Sequence, residues 1–89
     1  MRLKDKVALI TGAGRGIGKG IANVFSKEGA KVAVLDIKEA EGKETADACG
    51  RAEKRATFIK ADLKNSAEIQ EAIKTVIDEF GKLDILVNN

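Results

Sequence analysis

Four short apolar runs punctuate this chain, and three longer mixed stretches separate them. The runs are Val7-Ala8-Leu9-Ile10, Val32-Ala33-Val34-Leu35, Ala56-Thr57-Phe58-Ile59 and Ile85-Leu86-Val87. Each is brief, continuous and rich in β-branched or aliphatic side chains, the pattern of a strand covered on both faces. Strands are predicted at about Lys6–Thr11, Lys31–Asp36, Ala56–Ala61 and Asp84–Asn88. The stretches between them carry helical spacing. The first helix is predicted from near Gly16 to about Lys27, with Gly29 as its stop. Its core face is read as Ile17, Ile21 and Phe25 with Ala22. The second, about Lys38–Ala48, is weakly apolar, since Ala40, Thr45, Ala46 and Cys49 make a poor stripe and Gly42 weakens it further. The third starts at Asn65 or Ser66 and has the cleanest stripe, Ile69, Ile73, Val76, Ile77 and Phe80, closed by Gly81. Asn65-x-x-Glu68 at its start reads as a capping box, in which each side chain bonds the other's backbone N–H.

Strands that alternate with helices imply a parallel sheet of α/β type, because each crossover helix returns the chain to the same end of the sheet. At 89 residues the chain is one domain, residues 1–89, with no repeat, linker or low-complexity segment.

The chemistry is concentrated where the first strand ends. Thr11-Gly12-Ala13-Gly14-Arg15-Gly16-Ile17-Gly18 follows the strand at once and opens the first helix. Glycines let the backbone turn sharply and approach a ligand with no Cβ in the way. The helix start offers unpaired N–H groups and a partial positive charge to an anion. The expected ligand is a dinucleotide with its pyrophosphate on this loop. The spacing is not the common G-x-G-x-x-G, because Ile17 stands where that pattern needs its third glycine. A P-loop also fails: Ala13 occupies its first glycine position, and Gly20 occupies the magnesium-binding Ser/Thr position.

The spacing present, T-G-x-x-x-G-x-G, resembles the glycine motif of the short-chain dehydrogenase/reductase family. The likeness continues through Asp36 at the end of the second strand, Asp62-Leu63 after the third and Asn88-Asn89 after the fourth. It covers essentially the whole chain. The resemblance implies a partial Rossmann-type parallel sheet of four strands and three helices, ordered 3-2-1-4. Its switch point lies between strands one and four, and ligands bind there, outside the carboxyl ends of the strands. It implies cofactor-binding roles for Gly12, Arg15, Gly16, Ile17, Gly18, Asp36, Asp62, Leu63 and Asn89. Gly12 and Gly18 permit the turn and close packing. Gly16 and Ile17 pass the pyrophosphate with their N–H groups. Thr11 ties the loop to the strand through its hydroxyl. Asp62 and Leu63 read adenine, and Asn88 and Asn89 lie under the ribose side.

Asp36 is the cofactor selector in this reading. A carboxylate there accepts bonds from the adenosine ribose hydroxyls and repels a 2′-phosphate, which favours NAD over NADP. Arg15 points the other way, since a basic residue before the second motif glycine contacts the 2′-phosphate in NADP-using relatives. One solvated Arg returns only about 0–1 kcal/mol, so Asp36 is expected to prevail.

Composition narrows the rest. The formal charge of +2, with 16 basic and 14 acidic residues interspersed, leaves no basic stripe for nucleic acid. No stretch approaches the roughly 20 apolar residues of a membrane helix, and the N-terminal residues run directly into the first strand, so neither membrane nor signal peptide is expected. With no His and one Cys, Cys49, the sequence offers neither a zinc site nor an internal disulfide, and a cytoplasmic location is expected. The chain also has no Tyr. The family's Ser and Tyr-x-x-x-Lys, which polarise and protonate an alcohol or carbonyl substrate, have no counterpart here, and no catalytic residue is assigned. The chain is therefore expected to be an N-terminal piece of an oxidoreductase, with a non-catalytic dinucleotide-binding module as the second reading. A small-molecule substrate belongs to a full-length form. In isolation the bare fourth strand is expected to favour marginal stability or self-association as a homo-oligomer.

Overall fold

The computed structural model describes residues 2–89. It contains β1 (Val7–Thr11), α1 (Gly16–Lys27), β2 (Lys31–Asp36), α2 (Glu39–Ala48), a single 3-10 turn (Arg51–Glu53), β3 (Ala56–Lys60), α3 (Ser66–Phe80) and β4 (Ile85–Val87). The four strands form one sheet in the order β3-β2-β1-β4. All pairs are parallel, with Leu9 opposite Ala33 on one side and Leu86 on the other. The predicted sheet order and helix count are those observed.

The period of two along the strands sorts their side chains into two layers. Ala8, Ile10, Val32 and Val34 point to one face, where they pack with Ala22 and Ala46 of α1 and α2. Val7, Leu9, Ala33 and Leu35 point to the other, against Ala72 and Val76 of α3. Leu9, Ile10 and Leu35 are completely buried. Each such side chain contributes about 1.5–3 kcal/mol by leaving water. The central strands β1 and β2 thus anchor both layers, and their carboxyl ends fix the loops that follow.

The helices depart from the sequence reading in informative ways. On α1 the buried residues are Gly18 and Ala22, whereas Ile17, assigned to the core face, is 76% exposed. The helix approaches the sheet too closely for a large side chain at its first turn, so the small residues face inward and Ile17 is turned out. On α2, Gly42 has a packing reason that periodicity concealed. A Cβ at Gly42 would lie 2.1 Å from the Phe58 ring on β3, so the helix can lie on the sheet only without one. The 3-10 turn after α2 was not anticipated from the sequence. It is bracketed by left-handed Gly50 and Lys54. Cys49, the free thiol at the end of α2, is buried, and its Sγ lies 3.5 Å from the Ala22 carbonyl of α1. Burial raises its pKa, partly offset by a hydrogen bond with Ser26. No helix among the described residues is long and apolar enough to cross a membrane.

Candidate functional site

The site is built outward from the end of β1. Thr11 Oγ1 donates to the Val87 carbonyl at 3.2 Å and accepts from the Asn89 N–H at 2.9 Å. This buried hydroxyl therefore ties β1 to the residues after β4. The chain then turns at Gly12, whose φ of +62° lies in the left-handed region that glycine occupies without penalty. The Gly12 carbonyl accepts from Asn89 Nδ2 at 3.4 Å. A Cβ at Gly18 would stand 2.3 Å from that same carbonyl oxygen. Only a hydrogen fits there, and this brings the start of α1 against the end of β1.

The middle of the loop is held by β2 and α2. Ala13 N–H donates to the Leu35 carbonyl at 3.3 Å. Gly14 is engaged at both of its backbone polar groups. Its N–H donates to Asp36 Oδ2 at 2.8 Å, and its carbonyl accepts from Thr45 Oγ1 at 3.3 Å. A Cβ at Gly14 would come within 2.7 Å of Asp36 Oδ2 and 3.1 Å of the Gly42 nitrogen.

The first turn of α1 is different in kind. Gly16 has φ +62°, and a Cβ built on it would meet nothing within 4 Å, so its surface is open. The N-cap residue, Arg15, makes no side-chain cap bond, and the first turn contains no acidic residue. The first N–H groups of a helix lack intrahelical partners, and here no side chain replaces them. Arg15 itself leans toward α2, with its Nε 3.8 Å from Glu41 Oε2. An open glycine surface beside positively polarised N–H groups that no N-cap side chain engages fits an anionic group such as a pyrophosphate.

Asp36 lies beside this turn with its carboxylate fixed at both oxygens. Oδ1 accepts from the Lys38 N–H at 2.9 Å, while Oδ2 holds Gly14. With Gly12, Ile37, Ala61, Asp62, Leu63 and Lys64, Asp36 lines a cleft of about 170 Å³. Leu63, 43% exposed, separates it from a second cleft of about 140 Å³ formed with Thr11, Ile69, Leu86 and Asn88. Asp62 Oδ1 accepts from the Lys64 N–H at 2.9 Å. The Asp62 N–H is not free: it donates to Glu68 Oε1 at 3.0 Å. Only half of the expected capping box therefore exists. Asn65 Oδ1 accepts from Ala67 N–H at 3.0 Å and Glu68 N–H at 3.2 Å, while the Glu68 side chain reaches past Asn65 to the loop.

Gly12, Asp36, Asp62 and Leu63 share one cleft wall. Arg15, Gly16, Ile17 and Gly18 form the adjoining helix start, and Asn89 closes the loop from below. Sequence reading gave Glu41 no role, and it placed Thr45 in a weak stripe and Glu68 in a capping box; the side chains of all three reach the loops from neighbouring helices. Thr45 is one of only two buried polar residues among those described, a mark that the structure shows and the sequence does not. No group of three or more His, Cys, Asp or Glu side chains among the described residues is arranged to hold a metal ion.

These features coincide with a known family. The family model described as short chain dehydrogenase matches residues 6–89. Galactitol 2-dehydrogenase of Agrobacterium fabrum is 52% identical over 89 residues, which are 100% of this chain and 34% of that protein. Among solved structures, hydroxysteroid dehydrogenase from Escherichia coli superposes with a TM-score of 0.92 at 40% identity, over 99% of this chain and 37% of that one. The 3-ketoacyl-(acyl-carrier-protein) reductase from Brucella melitensis, complexed with NADH, gives a TM-score of 0.88 at 42% identity, over 94% of this chain and 33% of its own. The chain spans about a third of the length of the relatives it matches. Its strand order, its glycine loop and a match running from Lys6 to Asn89 place it in one family: the chain belongs to the short chain dehydrogenases.

Proposed function

We propose that this chain is the NAD-binding portion of an oxidoreductase that exchanges hydride between a nicotinamide and an alcohol or carbonyl compound. The observation that carries the reading is the Asp36 carboxylate, fixed by two backbone N–H groups at the mouth of the cleft and beside the uncapped start of α1. Each of its oxygens keeps acceptor capacity for a ribose hydroxyl. The same negative charge opposes a 2′-phosphate, and Arg15, directed toward Glu41, offsets it little. NAD is therefore the cofactor assigned here, in preference to NADP.

The chain's own residues bind and orient. Gly16 and Ile17 present N–H groups to the pyrophosphate, with Gly12 and Gly18 allowing the close approach. The adenine sits in the cleft against Asp62 and Leu63, and Asn89 lies toward the ribose that carries nicotinamide. When bound, the dinucleotide supplies the hydride chemistry. The substrate class is assigned from the relatives, whose names speak of a galactitol dehydrogenase, a hydroxysteroid dehydrogenase and a ketoacyl reductase. These share alcohol and carbonyl chemistry. The single buried Cys49 suits the reducing cytoplasm.

Calorimetric titration of NAD⁺ and NADP⁺ tests the assignment. NAD⁺ is expected to bind more tightly, and Asp36→Ala to weaken it by about 10-fold or more, the scale of a lost charge-assisted bond, while NADP⁺ gains. Tighter binding of NADP⁺ by the unaltered protein overturns it.

A further inference from the structure

We infer that Thr45, on a helix outside the glycine loop, is a positioning residue for cofactor selection. The inference rests on the dinucleotide reading above. Thr45 is completely buried in the middle of α2. A threonine in a helix ordinarily turns its hydroxyl back to the carbonyl four residues earlier. Thr75 of α3 does so, donating to the Glu71 carbonyl at 2.9 Å. Thr45 instead donates across the molecule to the Gly14 carbonyl at 3.3 Å, 31 residues away. Gly14 is itself buried, so its carbonyl has a stake in that bond: an orphaned buried acceptor is costly.

The other side of Gly14 makes the bond matter for selection. The Gly14 N–H holds Asp36 Oδ2 at 2.8 Å. One peptide segment thus lies between the hydroxyl of Thr45 and the carboxylate of Asp36. Its absent side chain lets the carboxylate and the backbone of α2 approach, since a Cβ at Gly14 would lie 2.7 Å from Asp36 Oδ2 and 3.1 Å from the Gly42 nitrogen. Thr45 reaches the loop because Gly42, one turn earlier on α2, packs directly on Phe58 and brings the helix down onto the sheet. The chain of support runs from Phe58 through Gly42 and Thr45 to Gly14, and from Gly14 to Asp36. Removal of the hydroxyl releases the Gly14 carbonyl. The loop then relaxes, its N–H leaves Asp36, and the carboxylate loses one of its two fixed contacts. NAD loses a well-aimed partner for its ribose hydroxyls. NADP loses less, because a carboxylate free to turn away repels a 2′-phosphate less.

The test compares Thr45→Val, Thr45→Ser and Thr45→Ala in the protein at its native length, with calorimetric affinities for NAD⁺ and NADP⁺ and melting temperature for each. Val76→Ala, in the opposite layer of the core, serves as a destabilised control. Thr45→Val is expected to reduce the ratio of NAD⁺ to NADP⁺ affinity by about 3- to 10-fold, the scale of one hydrogen bond. Thr45→Ser keeps the hydroxyl and the ratio. Val76→Ala lowers the melting temperature and leaves the ratio alone. If Thr45→Val cannot fold, Thr45→Ala is read against Thr45→Ser in the same way. An unchanged ratio in the hydroxyl-free variants, or an equal fall in Thr45→Ser and Val76→Ala, overturns the positioning role and leaves NAD binding intact. Absence of binding by the unaltered protein to either cofactor overturns the dinucleotide reading itself.

Discussion

Helices α1 and α3 both begin after a parallel strand, at the carboxyl end of the sheet, yet their first turns are finished in opposite ways. At α3, Asn65 accepts from two backbone N–H groups, and Glu68 adds a negative charge to the first turn. At α1, Arg15 supplies no cap, no acid follows, and glycines at 16 and 18 contribute no side chain. A good N-cap stabilises a helix by about 0.5–2 kcal/mol. One helix of this molecule has that stabilisation and the other forgoes it. The difference teaches where the proposed site leaves stability to be gained: an anion that bound only the folded chain would return it by mass action.

The largest effect that can break this contrast is at Gly18. Gly18→Ala places a methyl 2.3 Å from the Gly12 carbonyl oxygen, a backbone atom with no room to yield. A loss of about 3 kcal/mol or more is expected, severe for an 89-residue domain and visible as a collapsed melting transition. A variant that melts like the parent shows that α1 does not lie so close to the loop.

Arg15→Asp gives α1 the cap that α3 has. The two readouts should move in opposite directions: the unliganded protein gains about 1 kcal/mol in chemical denaturation, and NAD⁺ affinity falls about 10-fold because a carboxylate occupies the place of the pyrophosphate. Gains in both, or losses in both, break the comparison. Asn65→Ala is the reciprocal change. It should cost about 1 kcal/mol of stability, with the NAD⁺ affinity unchanged by titration.

The smallest effect is expected away from both helix starts, at Asp84. Its carboxylate accepts from the Val7 N–H at 2.8 Å and lies 3.1 Å from Lys82 Nζ. The Val7 N–H, and then Lys82, hold its carboxyl below the ordinary carboxylate range. The unfolded chain therefore takes up this proton at a higher pH than the folded one. The contribution to stability is present above the unfolded pKa of about 3.9 and is lost as pH falls through the lower folded value. Asp84→Asn should flatten that part of the acid limb in melting temperature against pH. An unchanged limb refutes the assignment.

Much of this was legible in the sequence because strands β1 and β2 are buried on both faces, and burial on both faces writes itself as continuous aliphatic runs. The glycine loop was legible because four glycines at one strand end mark a tight turn: Gly12 and Gly16 take positive φ, and Gly14 and Gly18 have no room for a Cβ. Ile17 misled, because spacing of four with Ile21 and Phe25 marks an apolar stripe but not how near that stripe comes to the sheet. The Gly12 carbonyl under Gly18 set that distance. Gly42 read as a weakness of α2, since its partner, Phe58, stands 16 residues further on. Glu68 was assigned to the nearest free N–H in sequence and found one on Asp62. The partners of Thr45 and Glu41 were not legible because side chains that cross between elements leave no periodic trace.

The central strand also carries a schedule. β1 is gripped at its entry by Asp84 and at its exit by Asn89, 77 and 78 residues downstream of their partners Val7 and Thr11. A chain made from its N-terminus exposes the glycine loop early. It cannot clamp that loop until residues 84–89 have emerged, and contacts of such long separation close slowly. On the proposed function, nucleotide capture would be tied to the completion of this segment of the polypeptide. A nascent chain halted before Asp84 would display the loop without the two grips that give it its shape.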